Sequence, residues 1–398
     1  MGAKYKSKQF VKALISTSIL FNGVVLIASV QFIINNLFFF VKNDTTKTAL
    51  KRTKKAFIMM LITSLSIIAP ATVRITTDNS SIKKGTVKFN PVKGRVVSNL
   101  KERSIVVSNH LIYTDWVYIW WLLYTSNLSG SIFFLLKNSL QSLPLLSYIM
   151  NNYGFIPLTR NWTIDKLVVE EKLRLINNDA KIIIKDQEEV HTVQSNQSSI
   201  TVKSNVSPKS KWPYSVVLYP EGTNMSKRAR QKSEEYSRKM GREPFKNVLL
   251  PHTTGLRHSI TLLQGTLDTV YDITIAYSGV KQDEYGEELY TLKNVFFKGI
   301  APRLTDIYIR SYNISEIPFT NEEKFTKWLF DVWEEKEKIL ETYYETGTFG
   351  VPREKVDVII ERFDIGIKQY VESINTTNYK NNFTNNSNFI QILNQKIN

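Results

Sequence analysis

A histidine near an acid is well suited to moving a proton close to neutral pH. This chain offers such a pair in Asn109-His110-Leu111-Ile112-Tyr113-Thr114-Asp115. Neutral imidazole can take a proton, while a carboxylate on the other ring nitrogen fixes the tautomer and stabilises the imidazolium that forms. The block follows the apolar run Ile105-Val106-Val107 and precedes the helical pattern of Trp116 to Tyr124, so it reads as a strand-to-helix turn. On a regular helix the two side chains would point about 140° apart. Pairing therefore requires His110 in the loop and Asp115 in the first helical turn, where the helix N-terminus favours an acid. Four histidines and 36 acids make about 0.36 such spacings expected by chance. A satisfied turn histidine beside a helix-capping aspartate is thus the competing reading, and the neighbouring blocks decide.

Tyr219-Pro220-Glu221-Gly222-Thr223-Asn224 also begins where a buried-type strand, Val216-Val217-Leu218, ends. Gly222 lets a ligand approach the backbone, Thr223 and exposed amides suit a phosphate, and Lys227, Arg228 and Arg230 add positive potential. Glu221 can orient one of those donors. An ordinary Pro-Glu-Gly turn followed by a solvated basic helix is the alternative. Gly154-Phe155-Ile156-Pro157-Leu158-Thr159-Arg160 is an apolar strand leaving one arginine at its exit. The planar fork of Arg160 binds phosphate oxygens in pairs, although such an arginine is often only a surface residue. Leu250-Pro251-His252-Thr253-Thr254-Gly255-Leu256 is a further turn opening an apolar helix.

The elements that must position these blocks lie within 398 residues, enough to bury a sizeable core. The absence of cysteine excludes disulfide frameworks, Cys-ligated zinc, iron–sulfur clusters and covalent cysteine catalysis, and no metal site is expected. A net charge of +16 favours an anionic partner, nucleic acid or an anionic lipid surface. The apolar stretch from Ala13 to Val41 is long enough to span a bilayer, and its Phe38-Phe39-Phe40 end lacks a small-residue cleavage site. A second apolar run goes from Ala56 to Val73. Lysines precede the first stretch, at Lys4, Lys6, Lys8 and Lys12, and a basic connection containing Lys42, Lys47, Lys51, Arg52, Lys54 and Lys55 precedes the second. With both flanks positive, a two-span hairpin and an interface-lying helix pair are both open.

From about Lys101 to Arg310, short apolar runs alternate with helical patterns, the signature of an α/β domain. Strands are expected around 105–107, 133–136, 155–156, 216–218 and 307–309, and over Asp272 to Tyr277 with outward alternation. Pro157 cannot donate to a ladder, which places its strand at a sheet edge or a bend. Gln187 to Pro213, rich in Ser, Asn, Gln, Lys and Pro, reads as a flexible insertion. A stripe through Phe325, Trp328, Leu329, Val332, Trp333, Ile339, Leu340 and Tyr343 predicts a core-packed helix, introduced by a Thr320–Glu323 capping box and stopped near Gly347. A second helical pattern passes through Val356, Ile359, Ile360, Phe363, Ile367, Tyr370 and Val371, and the Asn-rich tail after it reads as disordered.

Taken in this order, the four blocks resemble the glycerolipid acyltransferase family, with its Asn-His-x4-Asp, Gly-x-x-Phe-x-x-Arg, Glu-Gly-Thr and late Pro motifs. The likeness covers roughly Lys101 to Tyr344. Tyr113-Thr114-Asp115-Trp116, Arg160-Asn161-Trp162 and Tyr219 to Asn224 are most similar to the fungal lysophosphatidylinositol and lysocardiolipin acyltransferase branch. The resemblance implies a mixed-sheet α/β acyltransferase domain with N-terminal membrane helices and a helical C-terminal extension. It implies acyl transfer from acyl-CoA, a co-substrate, to the free hydroxyl of a lysophospholipid, with no other cofactor. His110 would be the base and Asp115 its orienting acid. Asn109, Gly154, Arg160, Glu221, Gly222, Thr223, Asn224 and Pro251 would line the acceptor side, with Glu221, Gly222, Thr223 and Arg160 toward the phosphate end. Asn224 stands where many members carry Arg, which suits a head group bulkier than a bare phosphate.

The expected organisation is a membrane helix pair over 1–75, the acyltransferase domain over 76–312 with its insertion at 187–213, a helical extension over 313–374 and a disordered tail over 375–398. Lysophosphatidylinositol is the favoured acceptor, with lysophosphatidic acid as the alternative and a catalytically silent membrane scaffold as the rival of another class. The lipid bilayer is the expected partner, and the resemblance places it at the endoplasmic reticulum. Zinc-finger, RNP and P-loop patterns are absent from the sequence, so no nucleic-acid partner is expected. No Gly-x-Ser-x-Gly elbow supplies a serine hydrolase nucleophile.

Overall fold

A computed structural model describes residues 3–37, 44–159, 161–193 and 212–362. The N-terminal runs form an antiparallel helix pair, α1 (Ala3–Leu37) and α2 (Asp44–Ile68). Small polar contacts set its register: Ser16 Oγ donates to the Ser64 carbonyl at 3.2 Å, and Gln31 Nε2 donates to Thr53 Oγ1 at 3.1 Å. Among the described residues α1 is the one helix long and apolar enough to cross a membrane, with a mean hydropathy of 2.0. The second apolar run behaves differently. Its helix stops at Ile68, Val73 belongs to a strand, and α2 buries Lys54, Phe57, Ile58 and Leu61.

The chain then continues through β1 (Thr72–Asp78), a small hairpin of β2 (Val87–Asn90) and β3 (Arg95–Ser98), β4 (Arg103–Ser108), α3 (Asp115–Thr125), β5 (Ile132–Lys137), α4 (Pro144–Asn152) and β6 (Ile156–Leu158). There follow α5 (Trp162–Val193), β7 (Tyr214–Leu218), α6 (Lys227–Lys239), α7 (Thr253–Leu262), β8 (Thr269–Tyr277), α8 (Gly286–Leu289), α9 (Leu292–Lys298), β9 (Leu304–Asn313), α10 (Glu322–Thr346) and β10 (Val356–Arg362). Eight strands form one mixed sheet in the order β10-β1-β9-β8-β4-β7-β5-β6. The run from β8 through β4, β7 and β5 to β6 is parallel. Parallel neighbours need crossover connections, and crossover helices cover both faces of such a sheet.

Side-chain alternation sorts the central strands between two cores. Val106, Val217 and Ile273 point to the face covered by α2, α3 and α4, while Ile105, Val107, Val216 and Leu218 point to the face covered by α5, α7 and α10. Trp120 of α3 and Trp333 of α10, both fully buried, anchor opposite cores. Burying an aliphatic or Phe side chain contributes about 1.5–3 kcal/mol, so the two cores together dominate the fold's stability.

Several expectations change. The segment predicted as a second C-terminal helix is a strand over its described part: β10 pairs antiparallel with β1. Its Val356, Val358 and Ile360 and its Asp357, Ile359 and Glu361 alternate between faces, and pairing with β1 overrides the helical spacing. Phe363, Ile367, Tyr370, Val371 and the tail to 398 lie outside the described residues. β8 shows no outward alternation, because all nine of its residues are buried between the two helical layers. The cap of α10 is Asn321, whose side chain accepts from the Lys324 amide, rather than a Thr320–Glu323 box, and the helix ends at Gly347 as expected. Of the expected insertion, Gln187 to Val193 continue α5 and Trp212 is buried, while 194–211 lie outside the described residues. Pro157 does sit on an edge strand, β6.

The strand assignment at 356–362 has a direct check in a protein without cysteine. Thr76 and Val358 face each other across β1 and β10, and opposed strand residues lie within the Cα span of a disulfide. Thr76→Cys with Val358→Cys should crosslink on mild oxidation, seen as a mobility change on non-reducing gels. Thr76→Cys with Asp357→Cys, shifted to the other face, should not. Equal crosslinking of both pairs would overturn the register.

Candidate functional site

The parallel strands β8, β4 and β7 end side by side, and the blocks carrying His110 and Glu221 leave the ends of two of them, β4 and β7. The crevice beyond the carboxyl ends of such strands is where open α/β sheets commonly bind ligands. His110 lies in the loop after β4, and Asp115 is the first residue of α3, as the spacing required. His110 Nδ1 is 2.7 Å from Asp115 Oδ2. The same carboxylate accepts from the amides of Leu111 at 2.7 Å and Ile112 at 3.2 Å, and from the Tyr277 hydroxyl at the end of β8. With its Nδ1–H donated to Asp115, the ring presents Nε2 as a base. The imidazole is partly exposed, whereas the Asp115 side chain has no exposure.

The Tyr219 ring stacks on the imidazole with centroids 4.3 Å apart. Burial pushes its hydroxyl well above the usual phenol range, so the stacked ring is neutral. Glu221 is buried and points inward. It accepts from the His110 amide at 3.1 Å and from Trp333 Nε1 of α10 at 3.4 Å. Burial is the largest influence on this carboxyl and pushes it up to about 8, opposed by these donors, by the Leu249 amide and by the ammonium of Lys336. Lys336 is itself fully buried, donating to Asp272 Oδ1 at 2.7 Å and to the Ile273 carbonyl at 2.7 Å, and Arg310 completes the network on Asp272.

The other expected residues divide by place. Asn109 is fully buried and joins β4 to β8, donating to the Ile275 carbonyl at 3.0 Å and accepting from the Ile275 amide at 2.9 Å. Gly222 closes the turn after β7, its amide donating to the Tyr219 carbonyl, at a φ of +71° that favours glycine. Thr223 is partly buried beside it. Asn224 hydrogen-bonds to Glu287 of α8. Pro251 is buried next to this turn, held there by the His252 amide on the Pro220 carbonyl at 2.8 Å. Gly154, at φ +67°, lies at the α4 to β6 turn, and a Cβ there would stand 3.3 Å from the Phe133 ring. Arg160 lies outside the described residues. Its neighbour Thr159 is fixed by its amide and hydroxyl on Asp165 at 2.7 and 2.8 Å. Among the described residues no group of three or more His, Cys, Asp or Glu is placed to hold a metal.

Sequence reasoning missed Tyr277, Trp333, Lys336 and Glu287. Lys336 was detectable: it continues the apolar stripe of Leu329, Trp333 and Leu340 at helical spacing, and a lysine on a core stripe requires a buried carboxylate partner. Tyr277, Trp333 and Glu287 carry no local signal, since each meets the site only through tertiary contacts.

Glu221 also makes a pH prediction. Its folded value of about 8 stands above the ordinary 4.5, so the folded state binds more protons between those limits and stability falls as pH rises through them. Glu221→Gln removes that slope. Relative to wild type, the thermal midpoint of the variant should gain several degrees between pH 5 and pH 8.5, and an unchanged difference would show that the buried carboxyl does not titrate in this range.

Comparison with known proteins places these blocks in a family context. Residues 90–278 match the family described as Acyltransferase, and residues 295–370 match the one described as Acyltransferase C-terminus. The chain is 42% identical over 367 residues to the 2-acyl-1-lysophosphatidylinositol acyltransferase of Saccharomyces cerevisiae, covering 91% of each chain. It is 31% identical to lysophosphatidylinositol acyltransferase 10 of Caenorhabditis elegans, over 61% of this chain and 53% of that one. It is 27% identical to lysocardiolipin acyltransferase 1 of Danio rerio, over 63% of this chain and 54% of that one. The His110–Asp115 pair therefore stands inside the matched domain and α10 inside the matched C-terminal segment, and the chain belongs to the acyltransferase family.

Proposed function

We propose that the protein transfers a fatty acyl group from acyl-CoA to the free glycerol hydroxyl of lysophosphatidylinositol. The observation that carries this is the His110 Nδ1 to Asp115 contact of 2.7 Å, on a buried carboxylate, in a chain 42% identical to a lysophosphatidylinositol acyltransferase. Nε2 of His110 takes the hydroxyl proton as the oxygen attacks the thioester carbonyl. The C–O bond forms, the C–S bond breaks, and the imidazolium returns its proton to the departing CoA thiolate. Asp115 holds the ring and balances its transient charge. No nucleophile from the protein is needed, which agrees with a chain lacking cysteine. Glu221 serves by holding the His110 loop, while Gly222, Thr223 and Asn224 are proposed to line the acceptor side, with Pro251 backing their turn and Arg160 assigned to the acceptor phosphate on the family resemblance.

The active site works at a membrane in this reading, and the fold favours one leaflet. Gln9 near one end of α1 donates to the carbonyl of Lys298, the last residue of α9, at 3.0 Å, and Asn35 near the other donates to Tyr148 and Asn152 of α4 at 3.0 Å each. These anchors are about 39 Å apart along the helix at 1.5 Å per residue. Both belong to the domain that carries the sheet, so α1 lies along that domain rather than projecting from it. Its free side exposes Phe10, Leu14, Phe21, Leu26 and Phe32, a face suited to lipid tails. The endoplasmic reticulum is proposed as the membrane on the family resemblance alone.

Detergent-solubilised protein should acylate lysophosphatidylinositol faster than lysophosphatidic acid or lysocardiolipin, with labelled acyl-CoA as donor. His110→Ala should lower turnover about a thousandfold with a normal thermal midpoint, as expected for loss of a general base, and Asp115→Asn by about a hundredfold or more with a lowered midpoint, because the new amide NH2 group cannot accept from the loop amides. Near-normal turnover of folded His110→Ala would remove it as the base, and folded wild type inactive on every acceptor would favour a silent scaffold. Orientation has its own test in sealed vesicles. Lys8→Cys and Leu37→Cys, at opposite ends of α1, should react with an impermeant maleimide from the same side, whereas protection of one end only would indicate a span.

A further inference from the structure

One side-chain cluster at the site is unused by the mechanism above. Asn224 donates its amide to Glu287 of α8, and the Tyr113 hydroxyl hydrogen-bonds with both. Tyr113 is 44% exposed, and Glu287 and Asn224 are partly exposed, so the three groups open to solvent. They also sit against the base. Tyr113 shares the loop of His110, the amide next to Asn224 in sequence, that of Met225, donates to the His110 carbonyl at 2.7 Å, and Glu287 is near enough to interact with the imidazole charge.

The chemistry of this cluster is that of hydroxyl recognition. A carboxylate, a carboxamide and a phenol together offer several acceptors and a few donors, and none of the three is a cation. A phosphomonoester, which carries up to two negative charges, would meet the Glu287 carboxylate as a like charge and find no positive partner within the cluster. A polyol presents several O–H groups, each of which can donate to Glu287 or to the Asn224 oxygen and accept from Tyr113.

We infer that Tyr113, Asn224 and Glu287 form a head-group selector that accepts a polyol-bearing lysophospholipid and disfavours a bare phosphomonoester at the same catalytic pair. The inference rests on the acceptor reading above and adds the residues that enforce it. Discrimination then comes from two directions, attraction of hydroxyls and repulsion of excess negative charge, which is how specific sites commonly separate related ligands.

The test compares kcat/KM for lysophosphatidylinositol and lysophosphatidic acid in wild type, Glu287→Gln, Asn224→Arg and Tyr113→Phe, with the KM for acyl-CoA as a control. Glu287→Gln keeps the size of the side chain but removes its charge. It should reduce the ratio of the two acceptors at least tenfold, mainly by improving use of lysophosphatidic acid, and Asn224→Arg should shift the ratio further the same way. Tyr113→Phe, a change at an exposed hydroxyl, should lower use of lysophosphatidylinositol severalfold with little effect on lysophosphatidic acid and keeps the inference testable if the other variants fail to fold. A wild type that prefers lysophosphatidylinositol, with that preference intact in the folded variants, overturns the selector alone. A wild type that prefers lysophosphatidic acid, or acylates neither, overturns the acceptor reading and the selector together.

Discussion

Three consecutive amides, those of His110, Leu111 and Ile112, leave the sheet without joining a helix, and two carboxylates satisfy all of them. Glu221 accepts from the first, and Asp115 from the second and third while also holding the imidazole. An unpaired buried amide costs about 1–3 kcal/mol, so this arrangement fixes the loop as firmly as a ladder would. It also explains why an acid begins α3 and why another sits in the turn after β7. Asp115 holds both the ring and part of the loop backbone, and Glu221 holds the His110 amide.

The sheet order places those two acids within reach of one loop. β4 lies between β7 and β8, and all three run parallel, so the turns leaving β4 and β7 open on the same edge, where β8 also ends. Tyr277, the last residue of β8, completes the Asp115 shell, and Asn109 ties β4 to β8 through both polar groups of Ile275. Burial on both faces makes the strand ends rigid, since helices pack above and below them. The His110–Asp115 pair is thus carried by the ends of buried strands, with the Tyr219–Asn224 turn beside it.

The C-terminal segment does more than cover a face of the sheet. Through Trp333 and Lys336, α10 reaches beneath Glu221, and Lys336 joins that region to the Asp272 and Arg310 pair in the sheet. Burial raises the Glu221 carboxyl, and the ammonium of Lys336 opposes that rise. A helix distant in sequence therefore supports the loop that carries His110, and the two matched family segments meet at Glu221.

Much of this was legible in the residues alone. The apolar runs located β4, β5, β7 and β9, Pro157 marked an edge strand, and the five-residue interval between His110 and Asp115 required the loop-to-helix geometry that the fold supplies. Such features are local: a strand pattern, a turn or a helix start is encoded by neighbours in sequence. What tertiary structure decided involves partners far apart. Val356 to Arg362 becomes a strand because β1 offers an unpaired edge, against its helical spacing. Glu221 turns inward because α10 presents Trp333 and Lys336 to it, partners its motif does not reveal. Asn109 is spent on the backbone of Ile275, and Asn224 is joined to Glu287, contacts that no spacing reveals. Sequence determined which groups can do the chemistry, because residue type sets pKa and hydrogen-bonding capacity. Packing decided where those groups point, because a buried polar group must turn toward whatever partner the fold places beside it.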